Sequence, residues 1–176
     1  MRKQLVALVI AGTAAAGLVG APSAQADDTA TTFTLTAGSL AVSSPVSKDL
    51  ASAAAGSASL SATLGTVTVS DGRGALGGSW TASAVSTDFA IGATPTADEI
   101  IPKANVSYTA PVPTLVSGTA VPVSAGAKTL SASTAVVTAT LTVGNNVVSW
   151  DPTITITLPS DAIAGAYAGT ITHSIA

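Results

Sequence analysis

The chain contains a single histidine, His173, and it is the one side chain whose ordinary pKa suits proton transfer near neutral pH. A Ser-His-Asp site would also need an activated serine, and no G-x-S-x-G segment is present to supply one. His173 shares its alternation with Tyr167 and Ile171. We therefore expect a partly buried histidine that packs at a sheet end, and we predict no catalytic residue.

Metal and carboxylate chemistry are poorly supported as well. One histidine, no cysteine and no D-x-D-x-D-G loop argue against a metal site, and no cofactor motif is present. Asp98 and Glu99 form an adjacent acidic pair between two predicted strands. A glycosidase needs two carboxyl groups at a set separation across a cleft, which the sequence neither gives nor excludes. Turn capping and solubility explain these carboxylates more simply, so we predict a non-catalytic protein.

Two tryptophans, Trp80 and Trp150, are the strongest binding candidates, because an indole can stack on a sugar ring or anchor an interface. The alternative is that both belong to the core. We favour the core, because only 3% of the residues are aromatic and large side chains are scarce. Asp71 and Arg73 lie two residues apart in a glycine-rich segment. There the carboxylate is expected to accept backbone N–H groups while Arg73 reaches a nearby carbonyl or carboxylate.

Alternation of small aliphatic residues with threonine predicts the elements that would position these side chains. Residues 150–176 read as a β-hairpin, because Ile154 and Ile156 alternate with threonines before a break at 159–165. Residues 65–87 predict a second hairpin with a glycine-rich loop. Residues 134–143 predict a long strand that ends in a turn at 144–146.

Shorter alternating segments complete the predicted fold. Strands are expected at residues 31–37 and 103–110, a loop or brief helical turn at 51–55, and edge-like or irregular structure from Pro111 to Ser124 because of its prolines. Roughly seven to nine short strands with almost no helical periodicity predict an all-β fold, an antiparallel β-sandwich of Ig-like or Greek-key type. A closed barrel is the alternative. The larger gaps in the core are assigned to six aromatic residues: Phe33, Trp80, Phe89, Tyr108, Trp150 and Tyr167.

The first 26 residues predict a secretory signal peptide. Arg2 and Lys3 precede an apolar run that ends in Ala24-Gln25-Ala26. Cleavage there would leave residues 27–176 as one domain, with no membrane span after cleavage. Its four basic and nine acidic residues give a net charge of −5, so nucleic acid is not an expected partner. The absence of cysteine excludes disulfides, so strand pairing and burial must stabilise the fold.

Two segments resemble a known family. V-S-D-G-R-G…G-G-S-W-T-A-S-A and S-W-D-P-T-I-T-I-T-L-P…A-G-A-Y-A-G-T-I-T are similar to the WxL-type surface domain of Gram-positive bacteria, especially its actinobacterial relatives. The residues that match are Asp71, Arg73, Gly74, Gly78, Trp80, Gly165, Tyr167, Gly169 and Ile171. The namesake tripeptides differ, because Ala82 replaces the first leucine, and His173 and Ile175 replace the second tryptophan and leucine.

The resemblance implies a secreted, cell-wall-associated protein that binds peptidoglycan non-covalently. We expect a family-motif or wall-binding role for Asp71, Arg73, Trp80, Trp150, Tyr167 and His173. The first functional hypothesis is therefore wall binding through a face that contains Trp80. The alternative is a structural or adhesive surface subunit that contacts other surface proteins by β-strand addition. A hydrolase built around Asp98 or Glu99 is the third.

Overall fold

The computed structural model describes residue 25 and residues 27–176, and nearly every ordered segment among them is a β-strand. Two short 3-10 turns, Ala97–Glu99 and Lys103–Asn105, interrupt the strands. The twelve strands are β1 (Leu40–Ser43), β2 (Ser59–Thr63), β3 (Val67–Ser86), β4 (Phe89–Ile91), β5 (Ile100–Ile101), β6 (Val106–Thr109), β7 (Thr114–Ser124), β8 (Ala127–Thr129), β9 (Thr134–Trp150), β10 (Thr153–Thr157), β11 (Tyr167–Ala168) and β12 (Ile171–Ile175).

The strands form three antiparallel sheets. The large sheet has the order β1-β3-β9-β7, and β12 also pairs with β3, beyond the end of β1. The second sheet has the order β2-β10-β6-β8, and a three-stranded sheet has the order β11-β4-β5. The sheets pack against one another as an all-β sandwich, which confirms the predicted fold class.

The large sheet is built on two strands much longer than we predicted. β3 has 20 residues and β9 has 17, and they pair along most of their length with several register shifts. The hairpin predicted at residues 65–87 and the turn predicted at 144–146 are therefore wrong. Bulges absorb the glycine-rich segments, because an extra residue in one strand bends it without ending the pairing. The two long strands pair from Val67 opposite Trp150 to Ala84 opposite Thr134.

The hairpin predicted at residues 150–176 is also wrong. β10 pairs with β2 and β6 in the second sheet, whereas β12 pairs with β3 in the large sheet. The two alternating segments therefore lie on opposite sides of the core, where Ile154 and Ile156 are buried and Ile171 and Ile175 pack against the same cluster. An alternating pattern indicates which face of a strand is apolar, but it does not identify the partner strand.

The strand predicted at residues 31–37 is not formed. These residues pair with no strand in the described part of the chain, and Phe33, assigned above to the core, is 93% exposed. On the neighbouring edge of β3, β1 pairs with Thr68–Asp71 and β12 pairs with Ala82–Ser86. The expected strand at 103–110 is shortened to β6, the segment 51–55 is loop, and the proline-rich stretch contains β7 at the edge of its sheet, as predicted.

The apolar core lies between the facing sheets and combines small aliphatic residues with four large aromatic side chains: Trp80, Phe89, Tyr108 and Trp150. Residues 35–176 form one compact unit, and the chain up to Thr34 belongs to a separate one. The predicted signal peptide, residues 1–26, lies outside the described residues except for Gln25.

Candidate functional site

A polar network inside the sandwich joins three of the largest side chains. Trp150 on β9 donates its indole N–H to the Tyr108 hydroxyl at 2.8 Å. That hydroxyl lies 3.1 Å from Nε2 of His173 on β12, and the two rings meet edge to face with centroids 5.6 Å apart. Tyr108 belongs to the second sheet, whereas Trp150 and His173 belong to the large sheet. The network therefore joins the two sheets across the core.

The Trp150 donor limits the roles that the Tyr108 hydroxyl can take. An indole nitrogen can only donate, so the Tyr108 oxygen accepts from Trp150 and its own proton is free to point at His173. When that proton is donated to Nε2, a neutral His173 carries its own proton on Nδ1. Nδ1 is buried and has no hydrogen-bond partner among the described residues. Burial lowers the pKa of His173, which favours this neutral form.

The same burial affects Tyr108, which has no exposed surface. Loss of hydration raises the pKa of the Tyr108 phenol to about 12, and the hydrogen bond from Trp150 opposes part of that rise. Tyr108 is therefore protonated at physiological pH and acts as a hydrogen-bond relay in the core. The network therefore carries no net charge near neutral pH, and it contributes to the packing and orientation of side chains in the core.

The predicted Asp71–Arg73 pair is present where β3 bends. Arg73 donates from Nε and Nη2 to the two Asp71 carboxylate oxygens, both at 2.9 Å, and its backbone N–H donates to Oδ1 at 3.1 Å. Nη2 also donates to the Ser79 carbonyl at 2.9 Å, and the Asn146 amide lies 3.5 Å from Asp71 Oδ2. The Arg73 hydrogen bonds lower the pKa of Asp71 despite its burial. The expected bracing role is confirmed.

Trp80 lies in the same part of the large sheet and is only 2% exposed, and Trp150 is 3% exposed. The interpretation of both tryptophans as core residues is confirmed. Neither indole is available to stack on a sugar at the surface. The indole nitrogen of Trp80 has no partner among the described residues, so Trp80 contributes apolar volume to the core.

A groove opens at one end of the sandwich between two loops, residues 44–57 and 159–166, and its lining continues through β11 to residue 170. Its volume is about 720 Å³. The charged residues that line it are Lys48 and Asp49, and the rest of its lining is small or apolar apart from a few hydroxyl groups and His173. Tyr167 lines the groove too, and its hydroxyl donates to the Ile163 carbonyl at 2.9 Å, which ties the second loop to β11.

A second surface feature lies at the free edge of the large sheet. Among the described residues β7 pairs only with β9, and its 11 residues carry no charge. Val121 and Val123 alternate along its outer face. Across the sheet, Val143 stands opposite both Leu76 on β3 and Thr119 on β7. We call Leu76, Val121, Val123 and Val143 the aliphatic patch, and all four are exposed.

The patch is extended by Leu141, whose backbone has a positive φ of 54°. Leucine rarely adopts this left-handed conformation, because its Cβ crowds the backbone. The strained residue lies within the register shifts that β9 makes with both β3 and β7, and its side chain is exposed. The backbone therefore adds another large apolar side chain to an already apolar surface.

The structure thus divides the six predicted site residues among three places. Trp150 and His173 both contact the Tyr108 hydroxyl in the core, Asp71 and Arg73 meet at the bend, Trp80 fills the core, and Tyr167 lies at the groove. Sequence reasoning treated Tyr108 as core filling and missed its central hydrogen bonds. It also missed Asn146, which lay in a predicted turn, and the aliphatic patch, because residues from three strands compose it.

Comparison with known proteins finds that no family model, no curated protein and no solved structure matches this chain. In the described residues, no helix has both the length and the apolar character needed to cross a bilayer. No group of three potential metal ligands occurs among those residues either. The site must therefore be interpreted from its own geometry.

Proposed function

We propose that this protein is an exported, non-catalytic cell-surface protein that works as a structural or adhesive subunit and makes its contacts through the edge of its large sheet. The observation that carries the proposal is the uncharged, unpaired edge of β7 beside the aliphatic patch. The signal peptide predicted from residues 1–26 supports export.

An open strand edge is an effective binding surface because its backbone N–H and C=O groups can continue the ladder with another chain. Natural edges are commonly protected by charged side chains, by proline or by bulges. β7 has Pro122 and a bulge near Gly118, but it has no charged residue. The protection is therefore partial, and the patch beside the edge adds apolar area that a partner strand would bury.

The test is the association state of the processed protein, beginning at Asp27, measured by sedimentation velocity over a wide concentration range. We expect concentration-dependent assembly, and we expect Val121→Lys to suppress it by placing a charge at the β7 edge. Ser174→Lys, on the exposed side of β12, is the matched control and is expected to assemble like the parent. A parent protein that stays monomeric at every concentration would contradict the proposal.

A second function, non-covalent binding to peptidoglycan, is supported by the WxL resemblance and by the groove. Because Trp80 and Trp150 are buried, a face built on Trp80 cannot carry this binding. The groove offers a concave surface of suitable size, with His173 in its lining. We therefore assign wall binding to residues 44–57 and 159–170.

Co-sedimentation with purified peptidoglycan tests this second function. Ala164→Trp would obstruct the groove and is expected to reduce the pelleted fraction several-fold. Ala127→Trp, at an exposed position outside the groove, should pellet like the parent. If the parent itself stays in the supernatant at all salt concentrations, wall binding is excluded, and equal pelleting of both variants would remove the groove from the interaction.

A further inference from the structure

The segment of residues 31–37 has the pattern of a strand without the pairing of one. Phe33 and Leu35 alternate with threonines, and the segment has no charged residue. Phe33 is 93% exposed and Leu35 is 87% exposed, although each would be expected to lie inside a chain so poor in large apolar side chains. A β-prone segment with one apolar face gains stability only when it joins a sheet.

In the described structure, the large sheet of the same molecule does not pair with this segment beside β1. The chain enters β1 through Gly38, whose N–H donates to the Gly72 carbonyl at 2.8 Å, while the Gly72 N–H donates to the Ser39 carbonyl at 2.8 Å. On that edge of β3, β1 pairs with Thr68–Asp71 and β12 pairs with Ala82–Ser86, and the stretch of β3 between them is bulged. The free edge of the sheet is β7, on its other side.

We propose that residues 31–37 of one copy, the donor segment, add as a strand to β7 of a second copy and link the molecules head to tail. This inference rests on the proposed assembly function and names its partner as another copy of this chain. The seven-residue donor segment is shorter than the 11-residue β7, so the acceptor edge is long enough to hold it. Addition would pair open backbone groups and bring Phe33 and Leu35 beside the valines of β7.

The orientation of the other strands and the distribution of charge both favour antiparallel addition. Every strand pair in the described structure is antiparallel. In that orientation the start of the donor segment, preceded by Asp27 and Asp28, lies at the Ser124 end of β7. Lys128 on β8 follows four residues after Ser124. The acidic start of one copy would therefore approach a basic side chain of the next.

The geometry of the contact determines the kind of assembly. The donor segment and the β7 edge are different surfaces, so each molecule that donates a strand still has an open acceptor edge. Contacts of this heterologous kind produce open chains unless the rotation between copies closes a ring. A symmetric dimer formed by two β7 edges would instead stop at two copies. The size distribution therefore distinguishes the two modes.

Mixing of two defective variants tests the proposal. Phe33→Ser with Leu35→Ser removes the apolar face of the donor but leaves β7 intact, whereas Val121→Lys disables β7 but leaves the donor intact. By sedimentation velocity each variant alone is expected to be monomeric, and an equimolar mixture is expected to form a 1:1 dimer. Thr32→Ser with Thr34→Ser, on the other face of the donor segment, is the control and should assemble like the parent.

The outcomes separate this inference from the function on which it rests. If the parent assembles and the Phe33→Ser, Leu35→Ser variant assembles equally well, the donor segment is not the partner, while assembly through the edge stands. A parent that never assembles overturns both proposals. Tryptophan fluorescence of every variant, compared with the parent, verifies that the buried Trp80 and Trp150 keep their environment.

Discussion

The indole N–H of Trp150 donates to the hydroxyl of Tyr108 at 2.8 Å, and this bond joins the two facing sheets in the centre of the core. Tyr108 also meets His173, so a single hydroxyl satisfies two polar groups that have little access to water. Removal of the Tyr108 hydroxyl should therefore destabilise the core strongly, although it changes the side-chain volume by only one oxygen atom.

Tyr108→Phe is expected to lower the free energy of unfolding by about 1–3 kcal/mol, because it leaves buried nitrogens of Trp150 and His173 without partners. Urea denaturation followed by tryptophan fluorescence measures the change. Tyr167→Phe is the matched control, since its hydroxyl bonds only to exposed backbone carbonyls, and it should cost less than about 1 kcal/mol. Equal losses in the two variants would show that the Tyr108 network contributes nothing special.

The Asp71 carboxylate is expected to stabilise the bend of β3. Asp71→Asn keeps the shape of the side chain but removes the negative charge to which Arg73 donates two hydrogen bonds. We therefore predict that the free energy of unfolding falls by about 1.5–3 kcal/mol. Asp161→Asn, an exposed control, should change stability by less than about 0.5 kcal/mol. Chemical denaturation of both variants at neutral pH tests this, and a neutral Asp71→Asn would contradict the bracing role.

His173 predicts a pH dependence of stability with a defined sign. Burial lowers its folded pKa below the ordinary value of 6.5, so the unfolded chain binds the proton first as the pH falls. Stability should be complete above about pH 6.5 and should decline as the pH drops toward the lowered folded pKa. Urea midpoints measured from about pH 8 to about pH 5 should show this decline.

His173→Gln provides the control for that decline, because glutamine does not titrate. The variant is expected to have a flatter stability profile over the same pH range, whatever its absolute stability. The lowered pKa of Asp71 affects stability in a separate pH range. Its contribution to the free energy of unfolding is lost only as the pH falls below the ordinary carboxyl pKa of 3.8. A parent profile without a decline would show that His173 titrates alike in both states.

Leu141 predicts a substitution that stabilises the protein. Its φ of 54° suits glycine, so Leu141→Gly should remove backbone strain, and its exposed side chain leaves little packing to lose. We expect the free energy of unfolding to rise by up to about 1 kcal/mol. Val143→Gly, in the same strand but without a positive φ, should instead lower it by about 1 kcal/mol. Thermal unfolding of the two variants, compared with the parent, shows whether each substitution raises or lowers the free energy of unfolding.

Much of the fold was predictable because alternation is a local property. The threonine–aliphatic pattern of β9 and β10 identified strands and their buried faces, and the prolines near β7 correctly indicated an edge. The bracing of Asp71 by Arg73 was predictable for the same reason, since the two residues lie two positions apart. Burial of both tryptophans followed from the shortage of other large side chains.

The sequence by itself determined which residues prefer water and which prefer the core, and hence the all-β class. Only the tertiary structure decided which strands pair, because partners such as Val67 and Trp150 are far apart in the chain and many registers satisfy the same alternation. The bonds of Tyr108 to Trp150 and His173, and the unpaired state of Phe33 and β7, are consequences of that pairing. They depend on which edges are already occupied, which no local pattern encodes.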